Sequence, residues 1–72
     1  MTVLQPPKIS MEAARVNAGL LQKDAADALH ISTTTLRSWE NGDTVPDYDK
    51  AIELANLYHY PADYIFFGKR SL

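Results

Sequence analysis

The 72-residue chain contains no cysteine, which excludes disulfides and thiolate zinc sites together. A domain of this size buries only about 60% of the surface that its unfolded chain exposes, so packing, with or without oligomerisation, must hold a thin core. Long apolar runs are missing as well, and no stretch approaches the ~20 residues that a membrane-spanning helix needs. The opening MTVLQPPK has no basic start, no apolar run and no cleavage-type ending. No secretory signal is read there, and the expected location is cytoplasmic. Catalytic groupings are lacking: there is no Ser-His-Asp set, Gly-rich phosphate loop or paired-carboxylate pattern. His30 and His59 are far apart in the chain with no second ligand beside either, so no metal, cofactor or small-molecule substrate is expected. An enzyme is the least favoured class.

An excess of positive charge is the last thing missing. Nine acids stand against seven bases, a net charge of −2, whereas a dedicated nucleic-acid binder is usually basic. Over residues 1–41, Lys8, Arg15, Lys23 and Arg37 balance Glu12, Asp24, Asp27 and Glu40. The whole excess lies in 42–72, where Lys50, Lys69 and Arg70 face Asp43, Asp47, Asp49, Glu53 and Asp63.

What is present is helical spacing. Gly and Pro punctuate the chain at Pro6-Pro7, Gly19, Gly42, Pro46, Pro61 and Gly68, and no run between them alternates with period two long enough for a strand. The first expected helix runs from Ser10, a fitting N-cap, to Asn17, with Gly19 just past its end. Its apolar face is Met11, Ala14 and Ala18, and Arg15 falls on that face too. The second covers about 21–29 and buries Ala25, Ala26 and Leu29, the alanines letting another helix come close. His30 occupies the place of a C-terminal glycine. The third runs from Ser32 or Thr33 to Glu40 and stops at Asn41-Gly42. The fourth covers 47–58 with Ala51, Ile52, Leu54, Ala55 and Tyr58 inside. A short fifth starts at Pro61 and carries Tyr64, Ile65 and Phe67 or Phe66. The expectation is an all-α, compact five-helix bundle over 9–68, with a flexible N-terminal extension over 1–8 and a tail over 69–72.

On a helical wheel, 33–41 gathers Leu36, Trp39, Thr35 and Ser32 on one side and Thr33, Thr34, Arg37, Ser38 and Asn41 on the other. The outer face holds short hydrogen-bonding groups, one arginine and no acid, where a solvated face would mix Glu and Lys. Such groups approach base edges closely, and Arg pairs bidentately with guanine. The tight turn His30-Ile31-Ser32 between two closely crossing helices is helix-turn-helix geometry. The second helix of such a pair can enter the major groove, while the first points its N-terminus, here Gln22 and Lys23, at phosphate. The bland reading of the same residues is a solvated face of poor helix formers, with Arg37 in an intramolecular pair. Trp39 is core in either case.

Gly19-Leu20-Leu21-Gln22-Lys23, Ala26, Ile31-Ser32 and above all Ser38-Trp39-Glu40-Asn41-Gly42 resemble the Cro/repressor-type (XRE-like) helix-turn-helix family. The register runs from about residue 11 to Gly68 and includes Tyr64-Ile65-Phe66-Phe67. The resemblance implies a lambda-repressor-like DNA-binding domain, dimeric on a pseudo-palindromic operator in double-stranded DNA, as in small phage-type regulators. It implies base reading by Thr33, Thr34 and Ser38 with Arg37 beside them. It further implies phosphate contact by Gln22, with Lys23 at the same helix start, closure of Asn41 on the DNA backbone, and an ion pair between Arg15 and Glu40. The wheel places Arg15 inward independently, where a charge without a partner is costly.

The chain departs from the family pattern in three places. Leu21 stands where Ser or Thr usually caps the second helix, a loss on the order of 1 kcal/mol. His30 and His59 stand at left-handed glycine positions, at a cost of roughly 1–2 kcal/mol each. Asp43 and Asp47 occupy a loop where many relatives put Lys or Arg against phosphate, which predicts weaker DNA binding than a basic relative would show. Six of the seven aromatics follow residue 47, more than a thin core holds. Tyr60, Tyr64, Phe66 and Phe67 are therefore candidates for a protein interface, with extra core as the equal alternative. Two functions follow as expectations. One is a stand-alone sequence-specific regulator, homodimeric or heterodimeric, that occupies an operator and blocks polymerase. The other is an antirepressor-like module of the same fold that engages a partner repressor through its acidic, aromatic half.

Overall fold

Four helices carry the fold among the described residues, which in this computed structural model are 6–68: α1 (Met11–Asn17), α2 (Gln22–Leu29), α3 (Thr33–Asn41) and α4 (Tyr48–Tyr58). Residues 1–5 of the expected extension and the whole expected tail over 69–72 lie outside the described residues. Three helix starts are closed by side chains. Ser10 Oγ accepts from the Ala13 N–H at 3.0 Å, Ser32 Oγ from Thr35 at 3.1 Å and Asp47 Oδ1 from Lys50 at 2.8 Å, each satisfying an orphan donor of the first turn. The α2 start differs. Leu21 has nothing to accept with, and only the reverse bond is made, from its own N–H to Asp24 Oδ2 at 3.3 Å.

All four helices end in the same paired reversal. Leu20 N–H reaches Arg15 O while Gly19 N–H reaches Val16 O; the equivalent pairs are Ile31 to Ala26 with His30 to Asp27, Asp43 to Ser38 with Gly42 to Trp39, and Tyr60 to Ala55 with His59 to Asn56. Each needs one left-handed residue. Two are glycines, Gly19 at φ +78° and Gly42 at +83°; two are histidines, His30 at +59° and His59 at +56°. The residue that follows is apolar and packed on the core at Leu20, Ile31 and Tyr60. After α3 it is the exposed Asp43.

The expected fifth helix is not formed. Ala62–Tyr64 makes a single 3₁₀ turn, and the chain then extends as β2 (Ile65–Phe66), pairing in parallel with β1 (Ile9–Ser10) in the register Ile9↔Ile65 and Ser10↔Phe66. Ile65, Phe66 and Phe67 are three consecutive bulky apolar residues. No helix can turn all three to one face, whereas an extended chain sends alternate ones to opposite sides. Ile65 is buried and Phe66 faces outward. Strands of two residues are too short to show alternation, which is why none was legible.

The core draws Met11 and Ala14 from α1, Ala25, Ala26 and Leu29 from α2, Leu36 and Trp39 from α3, Leu54, Ala55 and Tyr58 from α4, and Ile65 from β2. Ala25 and Ala26 are fully enclosed where α2 meets α3. Leu36, at 0% exposure, belongs to the class of leucines whose burial is worth about 1.5–3 kcal/mol. Ala18, Ala51 and Ile52 are only half-buried, so the inner stripes of α1 and α4 are narrower than their spacing suggests. No described helix is long and apolar enough to cross a membrane.

Candidate nucleic-acid interface

Helix α3 presents two unlike sides because its apolar residues recur at one helical spacing. Leu36 and Trp39 point into the core. Thr34, Arg37 and Asn41 are exposed, and Thr33 and Ser38 are partly so. Ser32 caps the helix and also donates its hydroxyl to Thr35 Oγ1 at 3.0 Å. Arg37 makes no salt bridge or side-chain hydrogen bond among the described residues. The intramolecular pair considered for it is therefore not made there, and no acid stands on the α3 surface beside it.

The far end of α3 is fixed by a buried network. Arg15 Nε donates to Glu40 Oε2 at 2.8 Å and Arg15 Nη2 to Glu40 Oε1 at 3.4 Å. Arg15 Nη1 donates to the Leu20 carbonyl at 2.8 Å, and Gln22 Nε2 to Glu40 Oε1 at 2.9 Å. The Glu40 side chain is only 3% exposed. The hydrogen bond that Arg15 donates to Glu40 holds the Arg15 pKa above its ordinary value against the opposing effect of burial. The carboxylate thus ties α1 and the first residue of α2 to the end of α3, and Arg15 adds the α1–α2 turn. Tyr58 lies close enough to feel both charges. Burial first, then Glu40, pushes its phenol pKa up to about 12, with Arg15 opposing. Its hydroxyl is buried without a hydrogen-bond partner among the described residues.

A second tie sets the turn. Lys50 Nζ, on α4, donates to the Leu29 carbonyl at 2.8 Å and lies 3.4 Å from Glu53 Oε1. It satisfies a free carbonyl at the end of α2, immediately before His30-Ile31-Ser32 leads into α3. The α2–turn–α3 unit is therefore held from outside at two points, by Arg15 at the end of α3 and by Lys50 at the turn.

A helix-turn-helix family model matches residues 11–65, most of the chain. The chain belongs to the XRE-type helix-turn-helix family. It is 38% identical over 55 residues to the HTH-type transcriptional regulator ImmR of Bacillus subtilis (strain 168), an alignment that covers 76% of this chain and 43% of that protein. This helix-turn-helix chain thus spans less than half the length of that relative. No solved structure matches.

Within the helix-turn-helix, the candidate DNA-contacting residues do not all present free side chains. Thr34, Arg37, Asn41 and Lys23 are exposed. Gln22 has given one amide hydrogen to Glu40. Ser38 Oγ is paired with Thr44 Oγ1 at 2.8 Å. Nothing in the sequence marked Thr44 or Lys50, because both contacts join residues that only the folded chain brings together. The aromatic candidates are largely occupied. Tyr60 and Phe67 pack on the core, and the Tyr60 hydroxyl donates to the Pro7 carbonyl. Tyr64 is half-buried, and Phe66, 36% exposed, carries Lys8 Nζ at 5.1 Å from its ring centre. The most exposed large apolar residues of the second half are instead Tyr48 at 78% and Val45 at 59%.

Proposed function

We propose that this helix-turn-helix protein is a sequence-specific DNA-binding transcriptional regulator of the repressor/Cro kind, which occupies an operator and blocks polymerase. One observation carries the reading: the outer side of α3 offers an unpaired Arg37 among Thr33, Thr34 and Ser38, with no acid, on a helix whose other side and far end are locked. In the major groove Arg37 would pair with guanine and the threonines would touch base edges. Lys23, Asn41 and the remaining amide hydrogen of Gln22 would meet phosphate and set the register. The missing side-chain cap at Leu21 leaves first-turn N–H groups of α2 open toward an anion. The operator would be a pseudo-palindrome read by two copies, or by one copy and a related regulator.

The antirepressor-like alternative is favoured by a different observation. Val45 and Tyr48 are exposed between the acids Asp43, Asp47 and Asp49, a surface that repels phosphate and suits a partner regulator. The experiment that decides is fluorescence anisotropy on duplexes selected from a random pool, at low and physiological salt, with Arg37→Ala alongside. Selective binding that weakens with salt, and falls at least ~10-fold in the variant, is the expected result. A folded, helical protein that selects no duplex overturns the reading and directs the search to a partner of the Val45–Tyr48 surface.

A further inference from the structure

Ser38 is joined to the loop after α3 by three bonds. Its carbonyl accepts from the Asp43 N–H at 3.0 Å and from the Thr44 N–H at 3.4 Å, and its hydroxyl meets the Thr44 hydroxyl at 2.8 Å. A serine in a helix ordinarily turns its hydroxyl back onto the carbonyl four residues earlier, here that of Thr34, or samples several orientations in water. In this chain the hydroxyl is turned to Thr44 instead. Thr44 itself is exposed and is held by nothing in the core.

We infer that Thr44 is a positioning residue for base reading: its hydroxyl fixes that of Ser38, and the two reach the groove as one unit. The inference rests on the DNA-binding reading above and deepens it. Two hydroxyls that share one hydrogen bond keep one O–H donor and free lone pairs on both oxygens. Reversing the direction of the shared bond moves the free donor from one oxygen to the other without moving a heavy atom. The unit therefore satisfies either a base acceptor such as a purine N7 or a donor such as the cytosine amino group, next to an Arg37 that recognises guanine. Because the serine rotamer is set in advance, its ordering does not oppose binding. The loop gains a second role. Although Asp43 beside it repels phosphate, Thr44 keeps the loop in contact with the recognition helix.

The test is a double-mutant cycle on the duplex selected by the wild-type protein. Thr44→Val keeps the shape of the side chain and removes its hydroxyl; Thr44→Ser restores the hydroxyl. Thr44→Val is expected to lower affinity about five-fold, with an unchanged melting temperature. Thr44→Ser should bind like wild type. Ser38→Ala should lose about as much, and adding Thr44→Val to it should change nothing more, since the two act as one. In the free protein, the Ser38 side-chain couplings should report one rotamer in wild type and Thr44→Ser, and several in Thr44→Val. A Thr44→Val loss that persists undiminished in the Ser38→Ala background, or no loss at all, overturns the inference while leaving the regulator reading intact. A wild-type protein that selects no duplex overturns both.

Discussion

The two ends of α3 are held in opposite ways. Its last turn is gripped from three other places in the chain: Arg15 and Gln22 reach Glu40, and Thr44 reaches Ser38. Among the described residues, its first turn makes side-chain hydrogen bonds only within its own cap, Ser32 on Thr35; Leu36 anchors it in the core, Thr34 is exposed and Thr33 partly so. A helix fixed at one end and open at the other presents its open end in a constant direction without filling it. On the DNA-binding reading proposed above, the first residues of α3 meet the ligand while the buried Arg15–Glu40 pair, out of a ligand's reach, supplies much of the rigidity.

The largest expected effect breaks the gripped end. Arg15→Ala leaves the Glu40 carboxylate buried with only Gln22 beside it, and should lower stability by about 3–5 kcal/mol in urea unfolding. Replacing both partners, as Arg15→Met with Glu40→Leu, should restore much of that loss, because the uncompensated charge is gone. The adjoining phenol sharpens the same contrast through pH. Tyr58 binds its proton more tightly folded, with a pKa of about 12 against an ordinary 10, so its contribution is fully present below pH 10 and disappears between about 10 and 12. Tyr58→Phe should flatten that part of a stability–pH curve.

Smaller effects belong to the open end. Ser32→Ala removes a local cap and should cost about 1 kcal/mol, read as a lower melting temperature without loss of helix elsewhere. His30→Gly, in the turn that leads into α3, relieves a left-handed side chain at +59° and should raise stability by less than about 1 kcal/mol. Smallest of all, Arg37→Ala should leave stability within about 0.5 kcal/mol of wild type, while on the proposed DNA-binding reading it should cost the most affinity of the set. If Arg37→Ala unfolded the protein and Arg15→Ala did not, the contrast between the two ends would be wrong.

How much of this could be read beforehand follows from the range of each interaction. Helix ends were legible to within a residue because caps act over three residues: Ser10 was read as a cap, Ser32 and Asp47 as helix starts, and Gly42 with the two histidines marks the reversals. The inward place of Arg15 was legible from spacing, since a guanidinium on an apolar face demands an acid. The link from Gln22 to Glu40, the Lys50 tie to Leu29 and the Ser38–Thr44 pair were not. Each depends on how two elements cross, and the sequence carries no local trace of that. Ile65 and Phe66 misled for another reason. Pro61 and Tyr64 promise a helix, but the consecutive Ile65, Phe66 and Phe67 suit an extended chain, and Ile9 is there to pair with it.

That pairing has a kinetic consequence. The helices and their reversals join neighbours in the chain, contacts that form on the microsecond scale. The parallel ladder instead brings Ile9 to Ile65, closing a loop that spans nearly the whole domain for the reward of two residue pairs. Loop closure of that length must be met before the reward arrives. The ladder should therefore be the last element to form and the first to open. Its amides are expected to exchange with solvent through partial openings that leave α2 and α3 intact.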